Sequence, residues 1–410
     1  MKAEIICVGT ELLLGHILNT NSRFLSQKLA ESGFDLYHHT TVGDNPERLM
    51  QSIKIAARRA DIIILTGGLG PTVDDITMET VANLIGKELI VNKVVLKDLK
   101  SYFQLKGMNI PAGSARQAMV PRGVTVIRNR VGIAPGIIAD YNGSKIVCLP
   151  GPPREMEPMF ESEIAPRLQK LFRSKWIIRS RIVRTTALAE SEVNKILKDL
   201  LELEPPTTVG IYSKLREVDL HIMSKARNAK AAEHAISKIE KKIRSRLKNF
   251  IFGYDSDTLE GAAGKVLADR KRTIAIAESC TGGLLSSRLT DNAGASEYLM
   301  MSVVAYSNKA KVNILGVREE SIERYGAVSN IVALEMAGGI KKLAKTDVGV
   351  GITGIAGPTG GTKTKPVGLV YIALYSGARP IVKEVRLRGS RQEIKYQASQ
   401  IALDMIRKNI

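Results

Sequence analysis

The run Ile62-Ile63-Ile64-Leu65 is apolar at every position, and Thr66-Gly67-Gly68 follows at once. A strand that is apolar on both faces needs cover on both, which places it in the middle of a parallel sheet flanked by helices, not at a solvated edge. The residues before it obey that demand. EIICVG, SRFLSQKLAESG, LYHHTTVG and RLMQSIKIAARRA alternate strand-like and helix-like periods, the pattern of a doubly wound parallel sheet.

The period changes twice further on. Between 172 and 254 come WIIRSRIVRTTAL, a helical SEVNKILKDLLELE, a break at Pro205-Pro206, the short runs TVGIYS and EVDLHIMS, and the basic helix KAAEHAISKIEKKIRSRLKN. This reads as a small βαββα unit. From 255 onward α/β alternation resumes, with strands at TIAIAES, MMSVVAYS, DVGVGITG, GLVYIALYS and IVKEVRLRG and a closing helix from Ser390 to Lys408. The predicted fold class is α/β: two three-layer α/β/α domains, 1–171 and 255–410, joined by a small α+β domain, 172–254. A chain of 410 residues is too long for one ordinary core, which agrees.

Composition narrows the function. No apolar run approaches the roughly 20 residues of a membrane span, and Glu4 and Glu11 interrupt the amino-terminal apolar run, so a first strand is expected there and a cytoplasmic protein with no membrane partner. Cys7, Cys148 and Cys280 are odd in number and lack metal or disulfide spacing. The formal charge of +19 favours anionic partners. It is uneven, with 18 basic against 9 acidic residues between Leu171 and Phe252, a bias that a solvated face or a nucleic-acid surface explains equally well.

Two loops carry candidate chemistry in the first block. VGTELLLGHILNTNSRF holds Gly9, Thr10, Glu11, Gly15, Asn19, Asn21 and Ser22; LTGGLGPTVDDITMET holds Gly67, Gly68, Gly70, Thr72, Asp74 and Asp75. Glycines let backbone N–H groups close on a phosphate, and a helix starting near Ile76 adds its positive end. Asp74 and Asp75 can hold a hard cation or position water. A plain turn and helix cap explains the same residues. LPGPPREMEPMF, with Glu155, reads as a helix start or an active loop.

In the last block AIAESCTGGLLSSRL sets Ser279, Cys280 and Thr281 on a strand-to-helix turn. The five histidines, at 16, 38, 39, 221 and 234, leave this block without an imidazole base. A serine nucleophile then needs a lysine whose pKa falls from about 10.4 toward 7–8. Strand alternation puts Ser279 with Ala275 and Ala277, and Cys280 with Ile276 and Glu278, which favours Ser279 over Cys280. Tyr306, Asn308, Lys309 and Lys311 follow the next strand. Tyr306 and Lys309 are three apart, and one helical turn sets them on the same side. Thr353, Gly354, Gly357, Gly360 and Gly361 form a loop that can wrap a ribose phosphate or simply cross the surface. Arg391, opening the last helix after Ser390, suits a phosphate.

VGTELLLG, NTN, TVGDN, LTGGLGPTVDD, LPGPPREM, ESCTGG, AYSNKAK and GITGIAGPTGG…KPVG, in this order over essentially the whole chain, resemble the CinA family of bacterial competence/damage-inducible proteins. The resemblance implies a bifunctional hydrolase of pyridine nucleotide salvage. Its first domain would be a molybdopterin-binding-like fold that hydrolyses ADP-ribose with Mg²⁺, Mn²⁺ or Co²⁺, with Gly67, Gly68, Gly70 and Thr72 on phosphate and Asp74, Asp75 and Glu11 on the metal. Its last domain would be a cofactor-free nicotinamide mononucleotide deamidase. There Ser279 is the implied nucleophile and Tyr306 and Lys309 its proton acceptors. Thr281, Gly282, Gly283, Asn308, Thr353, Gly354, Gly357 and Arg391 would line the substrate, with amides near Thr281–Gly283 on the oxyanion. The middle block resembles a KH-type domain but lacks the nucleotide-clamping GXXG loop, since Gly210 is the one glycine between Leu171 and Phe252. A homodimerisation or spacer role is therefore expected ahead of nucleic-acid binding. The rival readings are a nucleic-acid-binding competence factor and a molybdopterin-binding protein without turnover.

Overall fold

A computed structural model of the chain describes residues 1–111, 113–172, 176–377 and 379–410. The chain forms two compact units, Met1–Arg179 with Lys225–Glu233, and Ser180–Ser224 with His234–Ile410. The expected first domain junction, 171/172, falls at the end of the helix Ala165–Phe172, and residues 173–175 just past it lie outside the described residues.

The first unit contains β1 (Lys2–Val8), β2 (Asp35–Val42), β3 (Ile62–Thr66), β4 (Leu89–Val91), β5 (Met119–Pro121), β6 (Thr125–Ile127), β7 (Gly136–Tyr141) and β8 (Ser144–Leu149). Six of these form one sheet in the order β2-β1-β3-β8-β7-β6. As its composition demands, β3 is buried at all five positions between β1 and β8. Ile62 and Ile64 pack with Leu25, Leu29 and Phe160 on one face, and Ile63 and Leu65 with Leu49, Ile53 and Val81 on the other. Each such side chain stabilises the fold by about 1.5–3 kcal/mol.

The sheet is not parallel throughout. β2, β1, β3 and β8 are parallel, whereas β7 and β6 run antiparallel. The cause is local: Asn142 and Gly143 both have positive φ, 47° and 84°, and close Tyr141 onto Ser144 in a two-residue hairpin whose twist matches its strands. The Asn-Gly pair was a readable signal that strand–helix periodicity overlooks.

The chain from Ile177 onward carries two further sheets. β9 (Ile177–Thr186), β10 (Thr207–Lys214), β11 (Glu217–Ala226) and β12 (Ile251–Tyr254) assemble in the order β10-β11-β9-β12, so the expected three strands gain a fourth. Helices Glu190–Leu201 and Ala229–Leu247 cover it through Val193, Leu197, Ile236 and Ile243. β13 (Ile274–Glu278), β14 (Leu299–Val304), β15 (Val348–Gly354), β16 (Leu369–Tyr375) and β17 (Ile381–Arg386) order as β14-β13-β15-β16-β17. The helix Asn330–Ala344 lies directly on β15 because Gly349 and Gly351 have no Cβ; one built there would meet the Ala337 and Ala333 carbonyls. β13 is flanked by parallel β14 and β15, so the loops leaving all three strand ends converge at a switch point, where such sheets place their crevices.

Candidate active site

Ser279 sits one residue past β13, its N–H bonded to Ile352 O at 3.0 Å, with 8% of its surface exposed. The expected alternation holds: Ala275 and Ala277 pack toward Leu315, Val332 and Met336, while Cys280 joins Ile274 and Ile276 in the opposite core. Lys311 and Arg391 stand near enough for their charges to favour a Cys280 thiolate, yet burial dominates and pushes that thiol up to about 12. The thiol is therefore protonated at neutral pH and packs as a hydrophobe.

The lysine that reaches Ser279 is Lys311, not Lys309. Lys311 Nζ lies 3.1 Å from Ser279 Oγ, 3.0 Å from Ala305 O and 3.2 Å from Tyr306 O. It is 2% exposed, and burial lowers its pKa from the ordinary 10.5. The helix explains the choice. Ser307, extended, caps the helix Asn308–Leu315, which buries Lys311 and Leu315, one turn apart. Lys309 is two residues back, roughly 200° around the axis, and is exposed. Tyr306 precedes the cap, so the one-turn pairing expected for Tyr306 and Lys309 does not exist. A lysine in the register of a core leucine was the overlooked signal.

Ala305 O and Tyr306 O accept from Lys311, which fixes two of the three bonding directions of its Nζ and leaves the third on Ser279 Oγ. Tyr306 thus meets this lysine through its main chain. Its phenol is exposed and accepts from Arg391 Nη2 at 2.8 Å, while Arg391 Nη1 donates to Gly357 O at 2.7 Å.

Glu278, absent from the expected set, organises the loop. Fully buried, its carboxylate accepts from Gly283 N and Leu285 N at 3.1 Å each, from Ser286 N at 2.9 Å and from Ser286 Oγ at 2.6 Å. Gly282 N–H bonds to Ser279 O. The Gly282 and Gly283 amides are therefore spent, which corrects the expected oxyanion donors. Among the described residues, Cys280 N–H reaches only its own thiol, Thr281 N–H has no main-chain acceptor, and the buried Thr281 Oγ1 has no partner. Gly282 and Gly283 serve instead through φ values of 62° and 91°. Asn308 is exposed, Thr353 Oγ1 is tied to Ala327 O at 2.7 Å, and a Cβ on Gly354 would meet Leu369 O and Val370. None of these three joins Ser279 and Lys311.

In the first unit Glu11, Asp74, Asp75, Gly67 and Gly68 line one cleft of about 460 Å³. Gly70 and Thr72 stand outside it and serve Asp75. A Cβ on Gly70 would fall 2.5 Å from Asp75 Oδ2, which accepts from Thr72 N and Oγ1 at 2.8 and 2.6 Å. Among the described residues no group of three or more acidic, histidine or cysteine side chains stands together as a metal cage, while Glu11, Asp44, Asp74 and Asp75 face the same cleft, an arrangement in which one or two carboxylates and a substrate phosphate would share a hard cation. The cleft also draws on residues the sequence reading passed over or left unassigned. Asn21 Nδ2 donates to Thr66 Oγ1 at 2.9 Å and Gly151 O at 2.7 Å, tying three loops, and Asp44 accepts from Thr10 N. Glu155 accepts from Asn129 at 2.8 Å, a structural tie. No helix among the described residues is long and apolar enough to cross a membrane.

Three family models match consecutive parts of the chain: "Probable molybdopterin binding domain" over residues 4–170, "Damage-inducible protein CinA KH domain" over 180–253 and "CinA C-terminal domain" over 256–410. A "CinA-like protein" of Kosmotoga olearia is 46% identical over 408 residues, covering 100% of this chain and 98% of its own length. One from Dictyoglomus turgidum is 44% identical over 410 residues, covering 100% and 99%. A crystal structure described as competence/damage inducible protein CihA from Agrobacterium tumefaciens is 38% identical, covers 36% of this chain and 90% of its own, and has a TM-score of 0.35.

Proposed function

The chain belongs to the CinA family, and on that premise we propose that its carboxy-terminal block hydrolyses the amide of nicotinamide mononucleotide with Ser279 as nucleophile and Lys311 as base. The observation that carries this is the 3.1 Å approach of a buried, pKa-lowered lysine to a serine hydroxyl in a block without histidine. Ser279 Oγ attacks the amide carbon and its proton passes to neutral Lys311. The oxyanion is held by Cys280 and Thr281 N–H. Lys311 returns the proton to the nitrogen, the C–N bond breaks and ammonia leaves. Water, deprotonated by Lys311, then cleaves the ester and Ser279 recovers its proton. Arg391, fixed between Tyr306 and Gly357 at a helix start, suits the ribose phosphate.

Ammonia release from nicotinamide mononucleotide by the purified chain tests this. Protonated Lys311 has no lone pair for Ser279, so kcat/KM is expected to rise with pH, with a midpoint below the ordinary lysine value of about 10.4. A pH-independent rate in a folded protein, or no ammonia at all, would overturn the reading.

For the first block the cleft at Gly67, Gly68 and the Asn21-tied loops supports binding of the pyrophosphate of ADP-ribose, and hydrolysis there is the second half of the proposal. AMP release from ADP-ribose is expected, and Asp75→Asn, which disturbs the Thr72 tie, is expected to lower it at least 10-fold. Saturable ADP-ribose binding with no AMP would leave a ligand-binding domain without turnover.

A further inference from the structure

A cleft of about 720 Å³ lies within the second unit, remote from Ser279 in its lining residues. It is walled by the end of the helix Ala229–Leu247, β12, the start of the helix Leu259–Asp269 and Arg407 of the last helix. Three exposed cations from different elements line it: Arg244, Lys248 and Lys265. None of the three has a carboxylate partner among the described residues. The one carboxylate in the lining, Asp257, is committed to Tyr254 N–H at 2.8 Å. Arg407 forms part of the wall, held to Ile251 O at 3.0 Å, Asn249 O at 2.7 Å and the Asp404 carboxylate at 2.7 Å, and among the described residues its buried Nε has no acceptor.

Lys248 strengthens the case. As the residue after its helix it has φ of +40°, a conformation for which glycine is the usual choice and a side chain is unfavourable. The position carries a lysine nonetheless. Cations of one sign in a concave site focus the field and draw in anions, and the volume is in the range of small-molecule sites.

We propose that this cleft binds a polyphosphate group, free or carried on a nucleoside. Arg244, Lys248 and Lys265 contact the phosphate oxygens, and Arg407 sets the wall against which the chain lies. The site is independent of the Ser279 chemistry.

The test is calorimetric titration of the full chain with inorganic tripolyphosphate and, separately, with ATP, in wild type and in the double variant Lys248→Gly, Lys265→Gln. Glycine relieves the positive φ, so folding is not at risk, and ammonia release from nicotinamide mononucleotide provides a control expected to be unchanged. Saturable tripolyphosphate binding at least 10-fold weaker in the double variant is expected, equivalent to about 1.4 kcal/mol. ATP binding tighter than tripolyphosphate, with the advantage lost in the variant, would mark the nucleoside source; equal affinities would mark the phosphate chain alone. Equal tripolyphosphate affinity in wild type and variant, or no saturation at millimolar concentration, would overturn the proposal. Binding of single-stranded oligothymidylate without either phosphate ligand would overturn it in favour of a nucleic-acid groove.

Discussion

Lys311→Ala is expected to lower kcat for ammonia release from nicotinamide mononucleotide by about 10³-fold, roughly 4 kcal/mol of transition-state stabilisation, while Lys309→Ala stays within about 2-fold of wild type. The contrast follows from geometry. Lys311 is the amine within reach of Ser279 Oγ, and Lys309 faces solvent. Lys311→Arg separates proton transfer from simple charge. Arginine keeps the positive charge but does not deprotonate, so it is not expected to rescue. Ser279→Ala should match the Lys311 loss and Cys280→Ala should not. A Lys309 variant as impaired as the Lys311 variant, with both folded by circular dichroism, would refute the assignment.

Glu278→Gln is expected to cost about 3 kcal/mol. The carboxylate receives four donors, two on each oxygen; an amide NH₂ at the Oε2 position faces the Gly283 and Leu285 N–H groups with no acceptor, and one at Oε1 faces the Ser286 N–H with only the Ser286 hydroxyl able to turn and accept. Leaving buried donors unpaired costs about 1–3 kcal/mol each. The transition of the second unit should fall by roughly 6–12 °C, read by differential scanning calorimetry. Activity should fall beyond what the lost stability explains, measured well below that transition, because Glu278 tethers the turn that presents the Cys280 and Thr281 amides. A melting point within about 1 °C of wild type would show that the carboxylate does not organise the loop.

The layered architecture was legible because its signals are short-range. β3 reads as central from four consecutive apolar residues, Ile62 to Leu65, and the opposite faces of Ser279 and Cys280 follow from alternation along one strand. The antiparallel β7 and β6 were missed although Asn142-Gly143 announces a hairpin, since the reading followed the strand–helix alternation and did not single out the Gly136–Tyr141 arm. The site was half legible. The absence of histidine after residue 234 pointed to a serine and a lysine, but spacing along the chain selected Lys309 by assuming that Tyr306 lies in the helix that carries it.

The sequence by itself determined the layered α/β alternation with β3 at its centre, the turn bearing Ser279 and the need for a base other than imidazole, because each depends on neighbouring residues and on what the composition lacks. Only the tertiary structure decided which lysine meets the serine and which amides remain free. The first depends on the rotational phase of the helix Asn308–Leu315 after the Ser307 cap. The second depends on Glu278 folding back over the turn to take the Gly283, Leu285 and Ser286 N–H groups. Both are relations between elements packed in space, which periodicity along the chain does not encode.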